Sequence, residues 1–511
     1  RATSCGSRSK GWGASNMASP TEELRASLAV IADLEAARSL LGWDRDTMMP
    51  PSGAGPRGEV LATIDALIHE RLAGPELADL LDAAAAAGPE GEDAAIVRVV
   101  RRDHDRATRI PVELTSEMAR ATAAALPAWE AAREASDFSA FLPHLERQVQ
   151  VRRDVAACFP EVDHPYDALL EGREPGITTA AVREVFAALR DGLVPLIAEI
   201  AERPEPPPLP GPLARDGQRA LALDVARAVG YDDAGWRLDD STHPFSTVVG
   251  PGDQRVTARW HEDDLGGIFA VLHEVGHGLY EQQIGPSLHR TTLDCGVSYG
   301  VHESQSRLWE NQVGRSRAFW SHWLPRAQTA LPSLAGLDLD AFLHSVNVVR
   351  PTLIRVEADE ATYALHVILR FELEVALIEG TLAVADVPAA WNERMRELLG
   401  VEVPDDAHGC LQDVHWSYGE LGYFPTYAIG NVMSGQLWDA LTEQVAGVDD
   451  ALAAGDCAPV RDWLRDNVHV HGRVLDPPEL LERATGRALD PAPLLAYLRA
   501  KYGALYGLSV R

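Results

Sequence analysis

The chain is poor in cysteine, in aromatic residues and in positive charge. Its five cysteines (Cys5, Cys158, Cys295, Cys410 and Cys457) are scattered, odd in number and never spaced as a CxxC pair. That pattern argues against a disulfide scaffold and a thiolate zinc site, and it fits a reducing cytoplasm. Basic residues number 46 against 76 acidic ones, a formal charge of −30. A field of that sign repels nucleic acid and anionic membrane, so neither is expected as a partner. No apolar run reaches the length of a membrane span. The opening "RATSCGSRSKGWGASN" (1–16) lacks the apolar core of a secretory signal and reads as a disordered leader or expression remnant ahead of Met17.

Apolar residues make up 46% of the 511 positions and aromatics only 6%, with alanine and leucine recurring in amphipathic runs. That mix favours a mainly helical protein, read as one domain over 17–511. Ser19 or Thr21 is placed to cap a first helix, and "MMPPSGAGPRGE" interrupts the pattern before it resumes. Further helices are expected over 91–108, 112–134, 137–157, 178–203, 265–284, 298–314, 339–349, 351–380, 386–399, 425–445, 459–467 and 492–503. "RPEPPPLPGP" (203–212) favours polyproline II and is read as a long loop, where a subdomain break would fall. "FSTVVG" and "QRVTARW", joined by "PGD", predict a small hairpin just before the helix that carries the chemistry.

That helix contains "FAVLHEVGHGLYEQQ" (269–283). His273 and His277 stand four apart, so on a helix both imidazoles leave one face a turn apart, as two nitrogens meeting one metal ion require. Glu274, offset around the axis, is placed to reach a coordinated water rather than the metal. The competing reading is a pair of satisfied histidines. A catalytic zinc also needs a third protein ligand and an open position. Downstream, "SYGVHESQSRLWENQ" offers Glu303 on a second amphipathic helix. His302 beside it points elsewhere and is read as lining the pocket or supporting a ligand. Position 283 is Gln, which removes a three-histidine alternative.

The sequence resembles the carboxypeptidase Taq family, the thermostable metallocarboxypeptidases. The motifs that carry the resemblance are "HPF" (243–245), "DQRVT" (253–257), "HEVGH" (273–277), "HESQSR" (302–307), "IRVEAD" (354–359) and "GCLQDVHW" (409–416). "LLGWDRDTMMP" near the N terminus resembles the family's opening segment, and the likeness runs from about residue 20 onward. It implies a helical saddle or clam with a deep groove, a homodimer, and release of single C-terminal residues from peptides with broad tolerance. Zn2+ is the implied metal, with Co2+ as a substitute.

Under that resemblance His273, His277 and Glu303 hold the metal. Glu274 takes a proton from the attacking water and returns it to the leaving amine. Related two-His-one-Glu peptidases place tyrosines after such a motif, which makes Tyr423 and Tyr427 candidates for stabilising the oxyanion. A free carboxylate suits a planar, permanently charged arginine, and Arg355 and Arg255 are the candidates. Gln412, His415 and His243 are further substrate-binding candidates, with Asp359 and Asp413 orienting histidines. Cys410 is read as buried filler. Two alternatives are an oligopeptidase or dipeptidyl carboxypeptidase on the same scaffold, and a non-catalytic helical scaffold.

Overall fold

Ser19 caps the first helix. Its hydroxyl accepts the Glu22 N–H while the Glu22 carboxylate accepts the Ser19 N–H, so two otherwise orphaned donors are satisfied reciprocally. A computed structural model describes residues 18–508; Cys5, Met17 and the expected leader over 1–16 lie outside them.

An N-terminal layer comprises α1 (Pro20–Thr47), α2 (Ala54–Ala73), α3 (Pro75–Ala86) and α4 (Gly91–Arg109). Five more helices follow: α5 (Val112–Ala135), α6 (Phe138–Ala157), α7 (Asp167–Leu170), α8 (Thr179–Ala201) and α9 (Arg215–Val229). A small sheet comes next, built of β1 (Trp236–Asp240), β2 (Ser246–Gly250) and β3 (Asp253–Ala258). Then come α10 (Gly266–Gln282) and α11 (Tyr299–Arg307), the latter running into a π-helical turn at Leu308–Val313. The chain closes with α12 (Arg317–Ala330), α13 (Leu339–Val346), α14 (Tyr363–Glu379), α15 (Val387–Leu399), α16 (Pro425–Gln444), α17 (Val448–Ala453), α18 (Ala458–Asn467), α19 (Pro477–Thr485) and α20 (Ala492–Tyr506).

The expected hairpin is present as β2 and β3, but β1 adds a third strand, parallel to β3, giving the order β1-β3-β2. β1 reads "WRLDD", short and acidic, and such composition is depleted in strands. Arg237 makes it tenable by pairing with Asp239 at 2.6 Å. A second difference matters more for function. The helix expected over 351–380 starts only at Tyr363. Pro351 disfavours helix, and Asp359 accepts the N–H groups of Ala361 and Thr362 at 2.9 and 3.0 Å, a side-chain turn that competes with helix. The freed segment makes one tight turn at Arg355–Glu357 and lines a cavity instead. The sequence reading places no helix at α9, α12, α17 or α19.

One continuous buried cluster runs from Ala125 to Leu508 and includes residues on both sides of the proline stretch 203–212. A smaller cluster joins Leu24 and Leu28 of α1, Leu81 of α3 and Val99 of α4 to Ile284, Leu288 and Leu293. Those last three follow α10 directly, so the N-terminal layer is fastened to the loop leaving the metal-ligand helix. Three glycines then bring the helices of the site together. A Cβ on Gly276 of α10 would stand 2.7 Å from the Gln305 carbonyl oxygen and the Ser306 Cα of α11. On Gly430 of α16 it would stand 2.6 Å from Glu303 Cβ, and Gly300 packs equally closely against Glu174.

Candidate metal centre and active-site groove

His273 and His277 lie on α10 and Glu303 on α11. Glu303 Oε2 is 3.6 Å from Nε2 of each histidine, and the three donor atoms lie within 4.8 Å of one another. Two ligands bonded at about 2.0–2.1 Å to one tetrahedral ion stand about 3.4 Å apart. The two histidine–carboxylate separations are close to that spacing, and two imidazoles with one carboxylate are a donor set suited to a divalent cation.

Each ligand is held from behind. His273 Nδ1 donates to Glu310 Oε2 at 2.9 Å. Burial opposes charge on Glu310, but Arg307, His273 and Arg315 outweigh it and hold the carboxyl far below the usual range. His277 Nδ1 meets His302 Nδ1 at 2.5 Å, and His302 Nε2 meets Glu281 Oε1 at 2.7 Å. Reading the chain back from the Glu281 acceptor puts the His302 proton on Nε2 and the His277 proton on Nδ1. That tautomer leaves His277 Nε2 free to ligate. Glu303 Oε1 accepts from Arg307 Nε at 2.7 Å and Oε2 accepts the Ser306 hydroxyl at 3.2 Å. Glu274 is only 6% exposed, and burial pushes its carboxyl up to about 7. A carboxyl titrating near neutrality both accepts and returns a proton readily.

Two cavities meet at this point. One, of about 780 Å3, is lined by His277, His302, Glu303 and Tyr423; the other, of about 1390 Å3, by Arg355, His243, Gln412 and His415. His273, Glu274, Arg307 and Tyr427 line both. The Tyr423 and Tyr427 rings stand 5.2 Å apart, and the Tyr427 hydroxyl lies 3.3 Å from His415 Nε2. Burial raises both phenols, so they face the groove as neutral donors. Burial lowers His415 to about 4, leaving it neutral.

Arg355, 5% exposed, donates to Asp413 Oδ1 at 3.0 and 2.9 Å and to the Tyr363 hydroxyl at 2.9 Å. Its guanidinium carbon lies 5.1 Å from the Tyr427 ring centre. Fully buried Arg370 holds the other oxygen of Asp413 at 2.6 Å. Gln412 Oε1 accepts from Arg355 N and Arg370 Nη2 while its amide donates to two carbonyls, so Gln412 fixes the wall and has no donor to spare.

Four of the residues singled out in the sequence are placed as follows. Arg255 lines neither cavity: it folds back on Asp253 at 2.9 Å and stacks 4.2 Å over Trp43, joining the "DQRVT" and "LLGWDRDTMMP" segments. Asp359 meets no histidine, its carboxylate being taken by N–H groups of Arg350, Ala361 and Thr362. Asp413 lies 4.0 Å from His415 and is committed to the two arginines. His243 is exposed at the rim, contributing its carbonyl to Ser241.

The Carboxypeptidase Taq (M32) metallopeptidase model matches residues 23–502. The chain belongs to that family. It is 40% identical over 502 residues to the thermostable carboxypeptidase 1 of Thermus thermophilus, covering 95% of this chain and 98% of that protein. Carboxypeptidase 1 of Bacillus subtilis is 35% identical over 483 residues, covering 93% and 96%. The crystal structure of the M32 carboxypeptidase from Deinococcus radiodurans R1 superposes with a TM-score of 0.93 at 41% identity, covering 96% of this chain and 99% of that one. As a member of this family the protein is a metallocarboxypeptidase, a peptide hydrolase that works with a metal ion. Its substrates are peptides. Among the described residues no helix is long and apolar enough to cross a membrane.

The sequence reading passed over Glu310, Glu281, Arg307 and Arg370. The first three carried a signal: Glu281 and Arg307 follow His277 and Glu303 by four positions, and Glu310 follows Glu303 by seven, so each shares a helix face with a ligand. Arg370 carried none, because nothing local announces that it meets Asp413 across the wall.

Proposed function

We propose that the protein is a zinc-dependent carboxypeptidase that releases single C-terminal residues, with His273, His277 and Glu303 as ligands and Glu274 as general base and acid. The observation that carries this reading is the convergence of those three donors beside a buried glutamate, where two cavities meet. The metal, when bound, supplies Lewis acidity that lowers the pKa of a coordinated water and polarises the scissile carbonyl. Glu274 accepts a proton from the attacking water and delivers it to the departing amine. Tyr423 and Tyr427 offer phenolic donors to the developing oxyanion. Their burial, which keeps them protonated, supports that role.

Arg355 receives the terminal carboxylate of the peptide. It lines the larger cavity, is held in place by Asp413 and Tyr363, and stays charged at any working pH. The breadth of that cavity, about 1390 Å3, supports tolerance of many terminal side chains. His243, His302 and His415 complete the walls. Arg255 serves the fold through Trp43, and Gln412 keeps Arg355 in place.

Two further properties belong to this reading. Homodimerisation is supported by the exposed apolar Val30, Leu40, Met48, Val60 and Leu67, carried on α1, α2 and the turn between them. A reducing cytoplasmic setting is supported by the free thiols of Cys158, Cys295, Cys410 and Cys457.

The test is a zinc-loaded digest of an N-blocked tripeptide and its C-terminally amidated twin, with products identified by mass. One amino acid should leave the free acid and none the amide. Internal cuts, paired-residue release or equal cutting of the amide would assign the site to an oligopeptidase or dipeptidyl carboxypeptidase. Co2+ in place of Zn2+ should restore activity to metal-free protein.

A further inference from the structure

The smaller cavity contains an arginine that nothing above uses. Arg106 of α4 reaches the chamber that also holds His277 and Glu303. The other arginines lining that cavity are each engaged by acids: Arg102 by Asp476 at 2.8 Å, Arg473 by Asp103 at 2.8 Å, Arg307 by Glu303 at 2.7 Å, and Arg173 by Glu420. Among the described residues Arg106 has no such partner, in a chain with 76 acids for 46 bases. Its Nη2 donates to the Ala168 carbonyl at 2.7 Å, and its guanidinium carbon lies 4.8 Å from the Phe159 ring centre. Gly172 fixes it from another side, since a Cβ there would stand 3.1 Å from Nε and Nη2. Glu171, which lines the same cavity, accepts the Gly176 N–H at 3.0 Å, and Asp103 is paired with Arg473. The result is a rigidly held cation in a cavity wall with no acid hydrogen-bonded to it, Glu171 and Asp103 acting on its charge only through space.

Arg355 and Arg106 line different cavities, with Glu274 between them. If Arg355 holds the terminal carboxylate, the departing residue occupies the larger cavity and the rest of the peptide crosses into the smaller one. We propose that Arg106 is a specificity-determining residue that receives an acidic side chain in the part of the peptide N-terminal to the scissile bond. The inference rests on the carboxypeptidase reading and names a substrate preference within it. Pre-set planar geometry makes such a pairing cost little ordering entropy, and a charge-assisted pair is stronger than a neutral one.

The experiment compares N-blocked pentapeptides carrying Glu, Gln or Lys at the second, third or fourth position before the terminal residue, on zinc-loaded protein. At one position Glu should be turned over with kcat/KM roughly fivefold or more above its Gln twin, the difference lying in KM and shrinking as salt is raised. In Arg106→Gln the Glu-to-Gln ratio should fall to near one, in Arg106→Lys it should be partly kept, and in Arg106→Glu the Lys peptide should become the favoured one. Ratios cancel the active fraction, so partial misfolding of a variant does not imitate the result. Equal turnover of Glu and Gln peptides by the unaltered protein, or a ratio that survives in Arg106→Gln, overturns the inference while leaving the carboxypeptidase reading intact. Failure of every peptide to lose its terminal residue overturns that parent reading instead.

Discussion

His273 and Glu310 are joined Nδ1 to Oε2 at 2.9 Å, so the imidazole turns its other nitrogen toward Glu303. The carboxylate also accepts from Arg307 at 3.2 Å, which keeps it charged and in place. Glu310→Gln, which keeps the shape and halves the acceptor set, should weaken zinc binding by roughly 10–100-fold. Competition against a chelator dye measures it, and excess zinc should recover most of the activity. Unchanged affinity would show that the His273 orientation needs no support from Glu310.

Glu274→Gln separates chemistry from metal binding. Glu274 accepts no hydrogen bond from the ligands, and its carboxyl, raised by burial to about 7, is poised for proton transfer. The variant should keep its zinc while kcat falls on the order of 10²–10⁴-fold. Metal analysis beside the kinetics decides it: full zinc with full activity would remove Glu274 from the mechanism.

Gly276 sets the spacing between the two ligand helices. Gly276→Ala would drive a methyl into the backbone at Gln305 and Ser306, each 2.7 Å from the new carbon. Backbone cannot swing aside as a side chain can, so a loss of about 1–3 kcal/mol is expected together with weaker zinc binding. Gly503→Ala on α20, with nothing within 4 Å, is the control and should stabilise by about 0.5–1 kcal/mol. Denaturant midpoints of the two variants check both signs.

Glu174 provides a pH signature. It is fully buried, accepts the Gly300 N–H at the start of α11, and leaves its second oxygen unpartnered. Burial raises its carboxyl to about 8, against about 4.3 in an unfolded chain. Between those values the native state holds a proton the unfolded state has released, so stability falls as pH rises through the window. Glu174→Gln removes that titration and should lessen the decline between pH 5 and 8 by up to about 1.4 kcal/mol per pH unit. Melting temperatures across that range test it, and parallel curves for the two proteins would contradict it.

How much of this was legible beforehand follows from what is local. Helical spacing placed His273, His277 and Glu303 on two helices, because four-residue intervals and caps such as Ser19 are written in adjacent residues. Motif resemblance placed Arg355 in the groove, although periodicity alone put it inside a helix that Pro351 and the Asp359 turn prevent. What could not be read was pairing between distant segments. β1 pairs with β3 although its own composition does not announce a strand. The burial of Asp413 between Arg355 and Arg370, and the stacking of Arg255 on Trp43, depend on chain elements far apart in sequence.

The central claim is that His273, His277 and Glu303 share one cation, and crystallography of zinc-loaded protein tests it most directly. Diffraction data at the zinc absorption edge should show one strong anomalous peak about 2.0–2.2 Å from Nε2 of both histidines and from a Glu303 oxygen, with a further position left open. A peak elsewhere, or a Glu303 carboxylate turned away from a zinc held by the histidines alone, would contradict the account.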